Sequence, residues 1–207
     1  LGDAFVPGGT FLLGSSLDEG FVFDNELDAH EVPIEPFRIS RTATSNGEFR
    51  VFVDDGGYRR RDLWSDEGWQ WREASHAERP VYWRRNANGE WHRRDFDRFV
   101  PLDDRLPVLH VNWYEADAYC RWAGRRLPAE AEWEAAASAE VASGGFALSG
   151  RKRRYPWGNE APGPIVANVD WRASGVVPAG ALPESDSAFG CRQMIGNVWE
   201  WTSSDFL

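Results

Sequence analysis

Gly190-Cys191-Arg192-Gln193-Met194-Ile195-Gly196-Asn197-Val198-Trp199-Glu200-Trp201-Thr202 is the stretch that decides how this chain is read. A turn, Asp186-Ser187-Ala188-Phe189-Gly190, leads into it, and a second turn at Gly196-Asn197 precedes an alternating run. Side chains alternate faces along an extended chain, so Val198, Glu200 and Thr202 are expected on one side and Trp199 and Trp201 on the other. Two indoles on one face carry a large apolar area, which predicts that this face is core. Glu200 then stands opposite, beside Asn197, where a carboxylate needs solvent, a partner or a cation. Taken alone, the run is a packed strand with one polar face, and a functional reading has to come from elsewhere in the chain.

A chain of 207 residues fits one domain. At that length roughly 70% of the unfolded surface is buried, enough for a core without disulfide staples. Twelve Trp, twelve Phe and five Tyr, set among twenty Gly and twelve Pro, predict large rings joined by many turns and short elements. The net charge of −10 argues against nucleic acid or an anionic membrane as the main partner, because both need a basic surface. The clusters Arg59-Arg60-Arg61 and Arg151-Lys152-Arg153-Arg154 read as solvated loop charge, with local anion binding as the alternative. Cys120 and Cys191 make no disulfide framework. No signal peptide and no bilayer-length apolar run is present, so a reducing, cytoplasmic setting is expected. Residue 1 is Leu, so the natural N-terminus is expected upstream.

Residues 5–14 read as one strand entered through a Pro-Gly-Gly turn, and Val32 to Ile39 as a second, confined to an edge by Pro33 and Pro36. Asp18 to His30 reads as an acidic loop pinned by Phe21, Val22 and Phe23. Ser45 with Glu48 is a capping box, and Phe49, Phe52 and Val53 give the helix behind it one apolar stripe, stopped at Gly56-Gly57. Residues 58–105 show no sustained period and read as long loops, apart from an extended Pro80-Val81-Tyr82-Trp83 and a hairpin turn at 86–89. Pro107 to Val111 reads as a strand. Asn112 with Glu115 caps a second helix whose buried stripe is Ala116, Tyr119, Cys120 and Ala123. Leu127-Pro128 opens a third helix to about Ala137, with Trp133, Ala136 and Ala137 on one face. Residues 138–154 read as a surface loop, and Tyr155 to Asn159 as a rigid aromatic turn.

Little of this is overt chemistry. His30, His76, His92 and His110 show no metal-ligand spacing; His110 reads as a core histidine and the others as solvated. No phosphate loop or nucleophile elbow is present. Glu130, Glu132 and Glu134 alternate on one helix and read as solubility, with at most one in a structural network. Cys191 beside Arg192 reads as a buried thiol, the alternative being an activated one. Asn168, Asn197 and Glu200 are the candidates for a hard-cation site, since calcium takes Asn, Glu and carbonyl oxygens. Asn side chains bonding their own turns explain them equally well.

Five stretches then converge: Phe5–Phe11 (Phe-Val-Pro-Gly-Gly-Thr-Phe), His110–Ala116 (His-Val-Asn-Trp-Tyr-Glu-Ala), Ala123–Glu134 (Ala-Gly-Arg-Arg-Leu-Pro-Ala-Glu-Ala-Glu-Trp-Glu), Tyr155–Asn159 (Tyr-Pro-Trp-Gly-Asn) and Gly196–Thr202. Together they resemble the sulfatase-modifying-factor (formylglycine-generating enzyme) domain over essentially the whole chain. The resemblance implies an α+β, C-type-lectin-like fold of short strands, a few helices and much irregular loop. It makes residues 1–207 one such domain, incomplete at its C-terminus. Within it, Asn168 with Val169 resembles one calcium site of the family, and Asn197 with Glu200 lies near another.

A narrower likeness is carried by Phe21–Glu26 (Phe-Val-Phe-Asp-Asn-Glu), Asp54–Tyr58 (Asp-Asp-Gly-Gly-Tyr), Leu63–Trp69 (Leu-Trp-Ser-Asp-Glu-Gly-Trp) and Pro80–Trp83. These are similar to the C-terminal domain of ergothioneine sulfoxide synthases and of their ovothiol and selenoneine relatives. The likeness implies a substrate-shaping domain of a non-heme iron, oxygen-dependent oxidoreductase that forms a C–S or C–Se bond on the imidazole of a histidine derivative. Fe(II) is then held by a separate N-terminal helical bundle through a His-x-x-x-His-x-Glu motif, which this sequence lacks. The family's proton-donor tyrosine, its thiol contacts and the copper-binding cysteines of formylglycine generators all belong to segments beyond Leu207. No catalytic residue is therefore carried onto this chain, and the fragment alone is expected to be inactive. The alternatives are a copper-dependent formylglycine-generating oxidase and a non-catalytic lectin-like binding module. Ala129 stands where relatives place a Thr cap, a loss of about 1 kcal/mol.

Overall fold

The computed structural model describes residues 2–16, 22–170 and 172–205. The fold is α+β. Strands β1 (Asp3–Val6) and β4 (Phe37–Ser40) pair antiparallel, as do β2 (Gly9–Leu13) and β3 (His30–Ile34). The two strands expected here are therefore four. The Pro7-Gly8 and Glu35-Pro36 pairs break each run, and Pro33 sits on an edge as its missing N–H requires. Of the acidic loop expected at Asp18 to His30, residues 17–21 lie outside the described part, and Phe23 is exposed.

Helix α1 (Asn46–Asp54) carries the expected box: Ser45 Oγ accepts from the Glu48 N–H, and the Glu48 carboxylate accepts from the Ser45 N–H at 2.8 Å. Its Phe49, Phe52 and Val53 are buried. Gly57 follows because the chain passes against the Phe52 ring, where any Cβ would collide.

The region expected to be loop holds regular structure. Helix α2 (Asp66–Ser75) is capped by Ser65, whose Oγ accepts from Gly68. It was hidden because its residues are mostly polar and only Gly68 is buried, leaving no apolar stripe to read. Strands β5 (Trp83–Arg85), β6 (Trp91–Asp95) and β7 (Arg98–Pro101) form an antiparallel sheet around the expected 86–89 turn. The strand expected at 107–111 is reduced to a single bridge between Pro107 and Ser45.

Helix α3 (Trp113–Trp122) begins at the expected Asn112–Glu115 box, but its buried positions are Glu115 and Ala118. The expected stripe of Ala116, Tyr119, Cys120 and Ala123 is only half-buried. The helix is rotated because Glu115 has a buried partner, described below. Helix α4 (Glu130–Ser138) turns the small residues Ala135, Ala136 and Ala137 inward. Ala129 provides no side-chain cap there; Glu132 reaches back to its N–H at 2.8 Å instead. Residues 139–152, expected as loop, form the hairpin of β8 (Ala139–Val141) and β9 (Leu148–Lys152). The Tyr155–Asn159 turn holds, its Tyr155 and Trp157 rings stacked at 5.3 Å.

Two cores result. One packs Ala4, Val6, Phe11 and Ile34 against α4, Cys191 and Met194. The other is aromatic, with Phe49, Phe52, Tyr58, Trp64 and Trp83 at its centre. Phe52 touches Phe49, Tyr58, Tyr119 and Trp122. Phe52→Ala is expected to cost about 3–5 kcal/mol of unfolding free energy in urea titration, against about 1 kcal/mol for Ser45→Ala. A loss at Phe52 no larger than that at Ser45 would contradict this centre.

Candidate functional site

Among the described residues, an open cleft of about 810 Å³ is built by three separate segments. Tyr82 and the β6 residues Arg93, Arg94 and Asp95 form one wall, with Phe96 at the turn beyond. Leu109 and His110 form a second wall. Asn168, Asp170 and residues 173–176, with Asn197, form the third. His110 is exposed with φ +58, and its ring meets Tyr82 edge-on at 4.9 Å. It is therefore not the core histidine expected, because the backbone bends away there. His30 and His92 lie in strands rather than loops, and His76 caps the end of α2. Arg94 is held by the Phe96 carbonyl at 2.8 Å with its guanidinium over the Tyr82 ring, and Arg93 pairs with Asp95 at 3.2 Å. The cleft thus offers cationic donors, carboxylates and an aromatic wedge, a set suited to a zwitterion that carries a ring.

Asn197 fastens the third wall. With φ +60 it tolerates the left-handed region, and its side chain accepts from Val177 N–H at 2.8 Å and donates to the Val177 carbonyl at 3.1 Å. Its Oδ1 also accepts from Asn168 Nδ2 at 3.1 Å, and its N–H donates to the Asn168 carbonyl at 2.9 Å. Asn168 Nδ2 reaches the Gly175 carbonyl at 2.8 Å. Gly196 lies so close that a Cβ would meet the Asn168 carbonyl at 2.8 Å, at a φ of +81.

Of the residues considered for calcium, the structure brings Asn168, Val169 and Asn197 together. Glu200 instead accepts the Trp133 indole N–H at 3.3 Å. Protein crowded around its carboxyl pushes the pKa up to about 7, while the side chain keeps an exposed surface, so solvent tempers that shift. The Asn168 carbonyl, the Asn197 Oδ1 and the Val169 carbonyl already accept N–H groups. Among the described residues no group of three His, Cys, Asp or Glu side chains is placed to hold a metal ion.

The segment after Asn197 is not a paired strand among the described residues, and its indoles do not face the core. Trp199 is fully exposed and Trp201 half exposed. The run is held by single bonds, from Trp201 N–H to the Val111 carbonyl and from Trp113 N–H to the Thr202 carbonyl. Glu132 and Glu134, expected as helix solubility, are both engaged. Glu132 pairs with Arg126 at 2.6 Å, and Glu134 takes Lys152 and the Gly14 N–H, because β2 and β9 pack beside α4. Burial pushes the Cys191 thiol up to about 11, which makes it a buried thiol rather than an activated one.

Residues 2–207 match the family profile of the sulfatase-modifying factor enzyme 1-like domain. The chain is similar to hercynine oxygenase of Mycolicibacterium thermoresistibile, 47% identical over 94% of this chain and 42% of that protein. It is similar to the formylglycine-generating enzyme of Streptomyces coelicolor, 31% identical over 99% of this chain and 69% of that protein. The solved structure of PvdO from Pseudomonas aeruginosa superposes with a TM-score of 0.62 at 20% identity, covering 99% of this chain and 71% of that one; it shares the fold. The chain spans less than half the length of the hercynine oxygenases it matches. Among the described residues no helix is long and apolar enough to cross a membrane.

Asn197→Gly keeps the backbone conformation and removes the side-chain bonds. It is expected to destabilise the protein by about 1–3 kcal/mol in urea titration and to open residues 168–177 to limited proteolysis. Unchanged stability and unchanged cleavage would show that the third wall stands without Asn197.

Proposed function

The chain belongs to the sulfatase-modifying factor enzyme 1-like family, and from that premise we propose that it is the substrate-shaping domain of an oxygen-dependent, non-heme iron enzyme of ergothioneine-type chemistry. The reaction is C–S or C–Se bond formation on the imidazole of a histidine derivative. The observation that carries this reading is the 47% identity to a hercynine oxygenase, against 31% to a formylglycine-generating enzyme, over nearly the whole chain. A cytoplasmic setting goes with it.

The iron belongs to a separate helical bundle, and when bound it supplies oxygen activation. This chain's part is to bind and orient. Arg93 and Arg94 suit the substrate carboxylate, and Asp95 and Asp170 suit its trimethylammonium group. The Tyr82–His110 wedge suits an imidazole ring. A thiol or selenium donor completes the substrate pair. Copper-dependent formylglycine generation is the second reading, favoured by the likeness to formylglycine-generating enzymes such as that of Streptomyces coelicolor.

The test is a turnover assay on the full-length gene product with iron, oxygen and trimethylated histidine, comparing thiol and selenium donors. Oxygen uptake with sulfur or selenium joined to the ring is expected. Arg94→Ala is expected to raise KM for the histidine derivative roughly tenfold, the effect of losing about 1.4 kcal/mol of binding. Cysteine-peptide oxidation that depends on copper, with no turnover of the histidine derivative, would select the second reading.

A further inference from the structure

The aromatic core contains a path that its packing role does not require. From the fully buried Tyr58, ring contacts lead to Trp64 at 5.4 Å, Trp71 at 6.2 Å, Tyr114 at 6.3 Å and Trp113 at 5.8 Å. Every ring in this series is an indole or a phenol, side chains that can give up one electron, and no phenylalanine interrupts it. At the outer end, Trp113 is half-buried and donates to the Thr202 carbonyl beside the half-exposed Trp201. At the inner end, Tyr58 donates its phenolic proton to Glu115 Oε1 at 2.5 Å, inside the core. We propose that these five rings form an electron-hole relay, which carries an oxidising equivalent from the Trp113 face to the Tyr58–Glu115 pair and holds it there as a neutral tyrosyl radical.

The physical case has two parts. Electron transfer falls steeply with distance, so a series of rings in contact passes a hole far faster than one jump across the same span. The second part concerns charge. An indole radical cation in a dry core carries a charge that burial penalises. Oxidised Tyr58 avoids that penalty because a base stands within hydrogen-bond reach. One electron leaves Tyr58 by way of Trp64, Trp71, Tyr114 and Trp113 to the oxidant. The Tyr58 O–H bond breaks and a Glu115 O–H bond forms. The pair passes from one buried negative charge to none, a change that a low dielectric favours. Asn112, whose N–H donates to the other Glu115 oxygen at 2.8 Å, keeps the carboxylate aimed at the phenol in the resting state.

The oxidant is a high-potential, one-electron acceptor of the kind that oxygen activation generates, and in that respect the physiological role rests on the oxygenase reading. The relay would take up oxidising equivalents that escape productive turnover. The chemical property itself needs no substrate and no iron.

The experiment oxidises the full-length protein with a photogenerated ruthenium(III) polypyridyl complex and follows the radicals by rapid-freeze EPR and transient absorption. A tyrosyl signal is expected in the wild type. It should fall roughly tenfold in Tyr58→Phe. In Glu115→Gln, which keeps the shape of the side chain but removes the base, the signal should shift to indole radicals. Trp64→Phe should reach the same final tyrosyl yield roughly tenfold more slowly. Circular dichroism confirms that each variant is folded. A tyrosyl signal undiminished in folded Tyr58→Phe, or an unchanged rise time in Trp64→Phe, would overturn the relay. Because no histidine derivative is present, such a failure leaves the turnover reading untouched.

Discussion

The constraint on which the aromatic half depends is the hydrogen bond from Tyr58 to Glu115. Glu115 is 3% exposed, and a buried carboxylate costs several kcal/mol unless its oxygens are satisfied. Here both are, one by Tyr58 and one by the Asn112 N–H. Burial raises the Glu115 pKa, while these two bonds pull it back, and burial together with the Glu115 charge holds Tyr58 well above the ordinary phenol range. The same carboxylate therefore does two jobs. It closes the capping box that starts α3, and it anchors the turn that follows α1. The Phe52–Tyr58–Trp64 contacts assemble around that anchor, and Gly57 allows the turn to pass the Phe52 ring.

The other half is held differently. Its core relies on small side chains, Ala135 to Ala137, which let α4 lie close to the β1–β4 and β2–β3 pairs. Polar fastenings then carry the irregular chain to the cleft. Arg41 donates to the Gly190 carbonyl at 3.1 Å, Gln193 Nε2 reaches three backbone carbonyls, and Asn197 grips Val177. With so little regular structure among the described residues between 153 and 205, backbone polar groups that find no backbone partner in a turn need such side-chain partners. That need explains why the cleft's third wall is a loop and why it still has one shape.

What the sequence disclosed was local. The boxes at Ser45–Glu48 and Asn112–Glu115 are legible because a helix start is written within four residues. The Tyr155–Gly158 turn is legible for the same reason. The α+β class and the family followed from motifs of this kind. What could not be read was nonlocal. The cleft joins Tyr82, His110 and Asn197, which no window of sequence places together. Helix α2 and strand β6 lack the apolar period that reveals an element. The alternation around Glu200 assumed an extended, paired strand, but whether Trp199 meets core depends on a partner strand, and among the described residues it has none. Tyr58 carried a clue, standing after Gly56-Gly57 in an aromatic-rich chain, yet nothing local pointed to Glu115.

The most direct measurement of this account is a double-mutant cycle between Tyr58→Phe and Glu115→Gln, read by urea unfolding. A charge-assisted bond sealed in the core predicts a coupling energy of about 1.5–3 kcal/mol, with each single variant costing more than the coupled pair implies. Two single losses that simply add, leaving a coupling near zero, would mean that the aromatic half is held by packing alone and that Glu115 anchors nothing.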